Sequence, residues 1–244
     1  MVRLDRRDDV ADGIVVVTLD RPHRRNAVDH ETLLALLEAR PMLEAARVVV
    51  LTGEPPAFCA GADLSGVRED VYSSDLRRVL RGFTTLRAPV VAAVQGPALG
   101  AGAQLAAVCD LRVATPDSVF GIPAARLGLM VDHWTVERLA RELTWPVARA
   151  MLLAAEAYTG ERLHTIGAVH RLGDLDAALA WAAELAALAP LSMAGHKLAL
   201  EASSGEPAPN EAVDAARALA WASHDAVEGR QAFLEKRRPQ FRGS

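Results

Sequence analysis

Two short stretches carry residue types that can do chemistry without a reactive side chain: residues 57–64 (AFCAGADL) and 96–104 (GPALGAGAQ). Each follows a β-branched apolar run, 48–51 and 90–94, that reads as a buried strand. Each then turns through glycine and alanine into a helix-like segment. Backbone N–H groups at such turns are free to meet a ligand, and a helix start sets partial positive charge behind them. One N–H from each turn can grip a single carbonyl oxygen and stabilise negative charge developing on it. The same region is poor in proton carriers, because neither Gln104 nor Ala124 can act as an acid or a base.

The elements that must position these turns alternate between strand and helix. Strands are expected at 14–19, 48–51 and 90–94, with shorter ones near 111–114, 119–121 and 169–172. Asp29 is a good N-cap for a helix running to about residue 44. Further helices are expected over 74–86, 101–107, 135–141 and 146–155. This alternation predicts an α/β protein with βαβ crossovers and a largely parallel sheet. After residue 175 the strands stop, and 176–188, 190–202 and 211–236 read as helices. A break at 203–209 (SSGEPAP) is expected as a turn or loop. The chain thus divides into a strand-containing core, 1–175, and an all-helical region, 176–244, that packs on the core or on a neighbouring subunit.

The bulk numbers bound the function. At 244 residues the chain is long enough for one sizeable core. A net charge of −4 offers no general attraction to nucleic acid or anionic membranes. Basic residues cluster at 21–25 and 236–238, as solvated faces commonly do. Cys59 and Cys109 lie in apolar surroundings without a CxxC partner, as small buried thiols of a reducing compartment do. The first ten residues, MVRLDRRDDV, hold no apolar signal region, and no 18-residue apolar run occurs, so a cytoplasmic protein is expected. His164, His170 and His196 show no metal-ligand spacing, and no resident cofactor or metal is expected.

Four blocks in order, LDRP with RNA at 25–27, LTG-x4-FCAGADL, GPALGAG and PDSVFGIP-x3-LGL, closely resemble the crotonase superfamily, also called the enoyl-CoA hydratase/isomerase family. The resemblance runs from about residue 10 to the closing AFLEKRRPQF. It implies a ββα spiral core with helical tails that trimerise, often into a dimer of trimers. It also implies acyl thioesters of coenzyme A as ligands. Matched residue by residue, it puts the two oxyanion-hole donors on the backbone N–H groups of Ala62 and Ala101. Each such donor is worth about 3–4 kcal/mol in acyl-transfer enzymes. It places Arg25, Ala27, Ala60, Asp63 and Leu64 against the adenine and pantetheine, and Phe233 and Lys236 where a neighbouring tail covers the nucleotide.

The pattern then breaks. Hydratases of the family hold one water between two glutamates in different protonation states, one accepting and one giving a proton. These glutamates match Gln104 and Ala124, so hydration by that mechanism is expected to be impaired or absent. One carboxylate, Asp132 in GLMVDHW, falls where isomerases and dehalogenases of the family carry an aspartate. Two readings stay open for it: an N-cap of the helix that follows, and the single base of an enoyl- or dienoyl-CoA isomerase or of another enolate-forming enzyme. His133 and Trp134 replace small residues usual in hydratases and are expected to form a bulkier acyl-pocket wall. The sequence also resembles actinobacterial paralogues that carry FP or IP followed by LGL-x2-D at this place.

Overall fold

The computed structural model describes residues 1–63, 69–127, 129–203, 211–235, 237 and 239–244. The chain begins with β1 (Val2–Arg6), β2 (Ile14–Leu19), α1 (His30–Glu38), α2 (Arg40–Glu44) and β3 (Val48–Gly53). It continues through α3 (Glu69–Thr84), β4 (Val90–Val94), β5 (Pro97–Leu99), α4 (Ala101–Val108), β6 (Leu111–Ala114) and β7 (Val119–Gly121). Next come α5 (His133–Leu143), α6 (Trp145–Leu153), β8 (Ala157–Thr159), α7 (Gly160–Thr165) and β9 (Arg171–Leu172). Four helices follow: α8 (Leu175–Ala186), α9 (Pro190–Ala202), α10 (Glu211–Ala222) and α11 (His224–Glu235).

The main sheet has the order β1-β2-β3-β4-β6-β9. Its pairs are parallel from β2 to β9, while β1 joins antiparallel at the edge, Val2 opposite Leu19. Strands β2, β3 and β4 are buried along their whole length, as continuous Val/Leu/Ala runs covered on both faces should be. Three strands escaped the sequence reading: β1, β5 and β8. β1 (VRLDR) carries charge along an exposed edge, and β5 and β8 have three residues each. With β7 the latter two make a small second sheet, β5-β7-β8.

One face of the main sheet packs against α1, α3, α4 and α5, with Phe58, Leu105, Leu139 and Met151 among the fully buried side chains. The other face packs on α8, where Ala178, Leu179 and Ala182 meet Val16, Val50 and Val91. α9 is tied in by Lys197, whose Nζ donates to the Phe83 and Ala88 carbonyls (3.1 Å each) and to Asp110 (2.7 Å). Two segments expected as single helices are each broken in two. The helix from Asp29 is interrupted at Ala39, where Pro41 lacks the N–H that a continuous helix would use. The last helix is interrupted at Ser223. Most of the expected turn at 203–209 lies outside the described residues. Among the described residues no single helix is long and apolar enough to cross a membrane.

Candidate functional site

The two small-residue turns are far apart in sequence and are held side by side by backbone pairing. Cys59 forms a parallel bridge with Ala98: Cys59 N–H donates to Pro97 O, and Leu99 N–H donates to Cys59 O, both at 2.9 Å. From that bridge each strand runs three more residues, to Ala62 and to Ala101. Gly102 permits this approach, because a Cβ there would sit 2.1 Å from Cys59 O.

Ala62 bridges Val28 in turn, bracketed by Val28 N–H to Gly61 O and Asp63 N–H to Val28 O, both 2.8 Å. A strand residue's own N–H points away from the partner that its neighbours bind. Ala62 therefore turns its N–H to the other side. Ala101 is the first residue of α4, preceded by Gly100 at φ 53°, ψ −115°, a conformation natural only to glycine. No side chain caps that helix start. Among the described residues no acceptor pairs with the N–H of Ala62 or Ala101.

Both alanines line a cavity of about 630 Å³, which Gln104, Ala124, Asp132 and Ala60 also line. Gln104 sits one turn beyond Ala101 on α4 and is 9% exposed. Its Oε1 accepts a hydrogen bond from the Thr135 hydroxyl at 3.3 Å. Asp132 is the N-cap of α5, with Oδ1 accepting from Thr135 N–H at 2.8 Å. Its other oxygen pairs with Arg77 of α3 at 2.6 Å. Partial burial opposes the charge, but the Thr135 bonds and the Arg77 guanidinium outweigh it, and the carboxyl is held below its ordinary value. A carboxylate so stabilised is a weakened base.

His133 and Trp134 do not line the cavity, against expectation. In a helix Asp132 and Thr135 share a face, so the two residues between them are turned outward. His133 faces solvent, its side chain 86% exposed, 3.4 Å from Glu137. Trp134 packs at the edge of the core with Arg81 over its ring, 5.7 Å from the centroid.

The segment expected to meet the nucleotide runs beside the first turn. Ala60 N–H donates to the Arg25 carbonyl at 2.9 Å, and Arg21 donates to Ala27 O (2.6 Å) and pairs with Asp63 (3.1 Å). The Arg25 side chain is exposed. Asn26, buried at 1% exposure, fixes this arrangement by donating to the Glu54 and Ala57 carbonyls at 2.7 and 2.6 Å. Leu64 and Lys236 lie outside the described residues, and Phe233 belongs to α11 with its side chain outside them.

Sequence reasoning missed Arg77 and Thr135. Thr135 had a local signal, three residues after a candidate N-cap, but Arg77 is 55 residues from the aspartate it meets and left none. Burial pushes the Cys59 and Cys109 thiols up to about 12, so neither is a ready nucleophile. Among the described residues no group of His, Cys, Asp and Glu could hold a metal ion.

Residues 9–244 match the family described as enoyl-CoA hydratase/isomerase. A probable enoyl-CoA hydratase, echA6, of Mycobacterium bovis is 43% identical over 96% of this chain and 98% of its own length. The 2,3-dehydroadipyl-CoA hydratase of Escherichia coli is 34% identical over 94% and 95%. A crystal structure of an enoyl-CoA hydratase/carnithine racemase from Magnetospirillum magneticum superposes with a TM-score of 0.89 at 28% identity, covering 100% of this chain and 96% of that one.

Proposed function

The chain belongs to the enoyl-CoA hydratase/isomerase family, or crotonase superfamily, and from that premise we propose that it binds acyl-CoA thioesters without hydrating them at family-typical rates. The Ala62 and Ala101 N–H groups grip the thioester oxygen. The exposed Arg25, with the backbone of Ala27, Ala60 and Asp63, takes the coenzyme A, and Leu64, Phe233 and Lys236 complete that face. The protein serves fatty acyl-CoA metabolism in the cytoplasm, as a homotrimer or dimer of trimers, with coenzyme A entering only as part of the ligand.

One observation carries this reading. Two backbone donors without a partner among the described residues belong to alanines lining a cavity whose other side chains include Gln104 and Ala124, which cannot move a proton, and an Asp132 already bound to Arg77 and Thr135. Hydration needs an acid and a base together. The test pairs two measurements on one preparation: calorimetric titration with acyl-CoA, and an assay of crotonyl-CoA hydration. Binding without turnover is expected, and family-typical hydration or no binding overturns the reading.

A second reading has its own support, since Asp132 lines the cavity and an isomerase can work with one base. Asp132→Asn separates the two. Loss of an isomerase turnover with acyl-CoA affinity intact supports the enzyme, whereas no measurable turnover in the parent leaves the binding protein.

A further inference from the structure

The geometry points to a ligand class for this cavity: acyl thioesters carrying an oxygen at C3, of the 3-oxoacyl kind, held by Gln104 as a third donor. The inference rests on the acyl-CoA reading above and goes further by naming what the acyl group presents.

A chain of polar contacts orients Gln104. Arg77 pairs with Asp132 (2.6 Å), Asp132 accepts from Thr135 N–H (2.8 Å), and the Thr135 hydroxyl donates to Gln104 Oε1 (3.3 Å). With its carbonyl engaged by Thr135, the Gln104 amide has an NH₂ without a partner among the described residues, the polar end left for a ligand. That amide stands three residues after Ala101 on α4, on the same helix face, about one turn from the N–H that grips the thioester oxygen. A substituent two carbons beyond the thioester carbonyl falls within its reach. Ala124, which also lines the cavity, brings no polar side-chain atom to compete.

The site therefore offers three donors in sequence, Ala62 N–H, Ala101 N–H and Gln104 Nε2–H. A 3-oxoacyl thioester brings two carbonyl oxygens on one side of a short chain and can satisfy them together. A saturated acyl chain leaves the amide, in a mostly buried place, without an acceptor, which is costly. No covalent step is involved.

The experiment titrates octanoyl-CoA and 3-oxooctanoyl-CoA against the parent protein, Gln104→Leu and Thr135→Val. Thermal unfolding verifies that each variant is folded. One neutral hydrogen bond corresponds to roughly a threefold to tenfold change in affinity. The parent is expected to prefer the 3-oxo ligand by about fivefold. In Gln104→Leu the ratio falls toward one, and in Thr135→Val it falls part of the way, because the amide is present but no longer oriented. Should Gln104→Leu fail to fold, Gln104→Glu replaces it, and a carboxylate there reverses the preference. Equal affinity of the parent for both ligands overturns the inference and leaves the acyl-CoA reading standing. A preference that survives in Gln104→Leu also overturns it. Failure of both ligands to bind the parent removes the acyl-CoA reading itself.

Discussion

Ala62, Ala101 and Gln104 line one cavity, and on the proposed acyl-CoA reading these three residues decide what the chain can do to a thioester. Ala62 and Ala101 supply fixed backbone donors, which require no proton inventory, while Gln104 supplies an amide that cannot change its charge. If the missing step is proton transfer, restoring both carboxyl groups should restore it. Gln104→Glu with Ala124→Glu is therefore expected to raise crotonyl-CoA hydration at least about 10²-fold, the lower end of what general acid–base catalysis contributes. Either substitution alone is expected to give little, because one group cannot serve as acid and base in the same addition. A spectrophotometric assay that follows loss of the conjugated-thioester absorbance reads the outcome directly. Equal rates for the double variant and the parent would show that the walls, not the carboxylates, limit turnover.

At the scale of elements, α5 matters most, because its first turn lines the cavity and its cap is Asp132. Asp132→Ala removes both the cap and the Arg77 pair, and is expected to cost about 1 kcal/mol in urea unfolding. Asp132→Asn keeps a competent cap and should cost only a few tenths, about the spread among good N-cap residues. An equal cost for the two would mean that the half-exposed ion pair to Arg77, not the cap, holds the helix start. α9 is anchored differently, by the buried Lys197 against Asp110, whose carboxyl burial pushes upward and Lys197 pulls back. Lys197→Met strands that carboxylate and two carbonyls, with an expected loss of about 3–5 kcal/mol in chemical denaturation. A loss below about 1 kcal/mol would place the ion pair in solvent.

For the whole molecule, stability should depend on pH through His170. Its Nδ1 accepts the Arg112 backbone N–H at 3.1 Å, which only the unprotonated ring can do. Burial first, and the Arg112 guanidinium second, push its pKa down to about 4. The unfolded chain takes that proton near pH 6.5, so between about 6.5 and 4 the unfolded state binds more protons and stability falls as pH drops. Above that window the contribution is fully present, and below it the loss levels off. The ring is partly exposed, so screening limits the effect to about 1 kcal/mol. Denaturant midpoints measured from pH 7.5 to 4.5 should show this slope, and His170→Gln, which keeps an acceptor, should flatten it.

Much of this was legible in the chain, and the reasons are local. The strands at 14–19, 90–94, 111–114 and 119–121 are short β-branched or apolar runs between turn residues, and the structure ends them at the same residues. Asp29, Asp132 and Asp174 each accept an N–H in the first turn of the helix they precede, as their residue type prefers. Small residues at 62 and 101 marked the two turns that line one cavity, because a backbone site shows itself by what must be absent. What tertiary structure alone decided involves partners distant in sequence. The Cys59–Ala98 bridge sets the two turns side by side, and the helical phase of α5 brings Thr135 to Gln104 while turning His133 and Trp134 away. Arg77 reaches Asp132 across 55 residues, and no spacing along the chain encodes that meeting. Backbone propensity and capping are read within a few neighbours, whereas a contact between elements exists only once the shared core has set their distance and rotation.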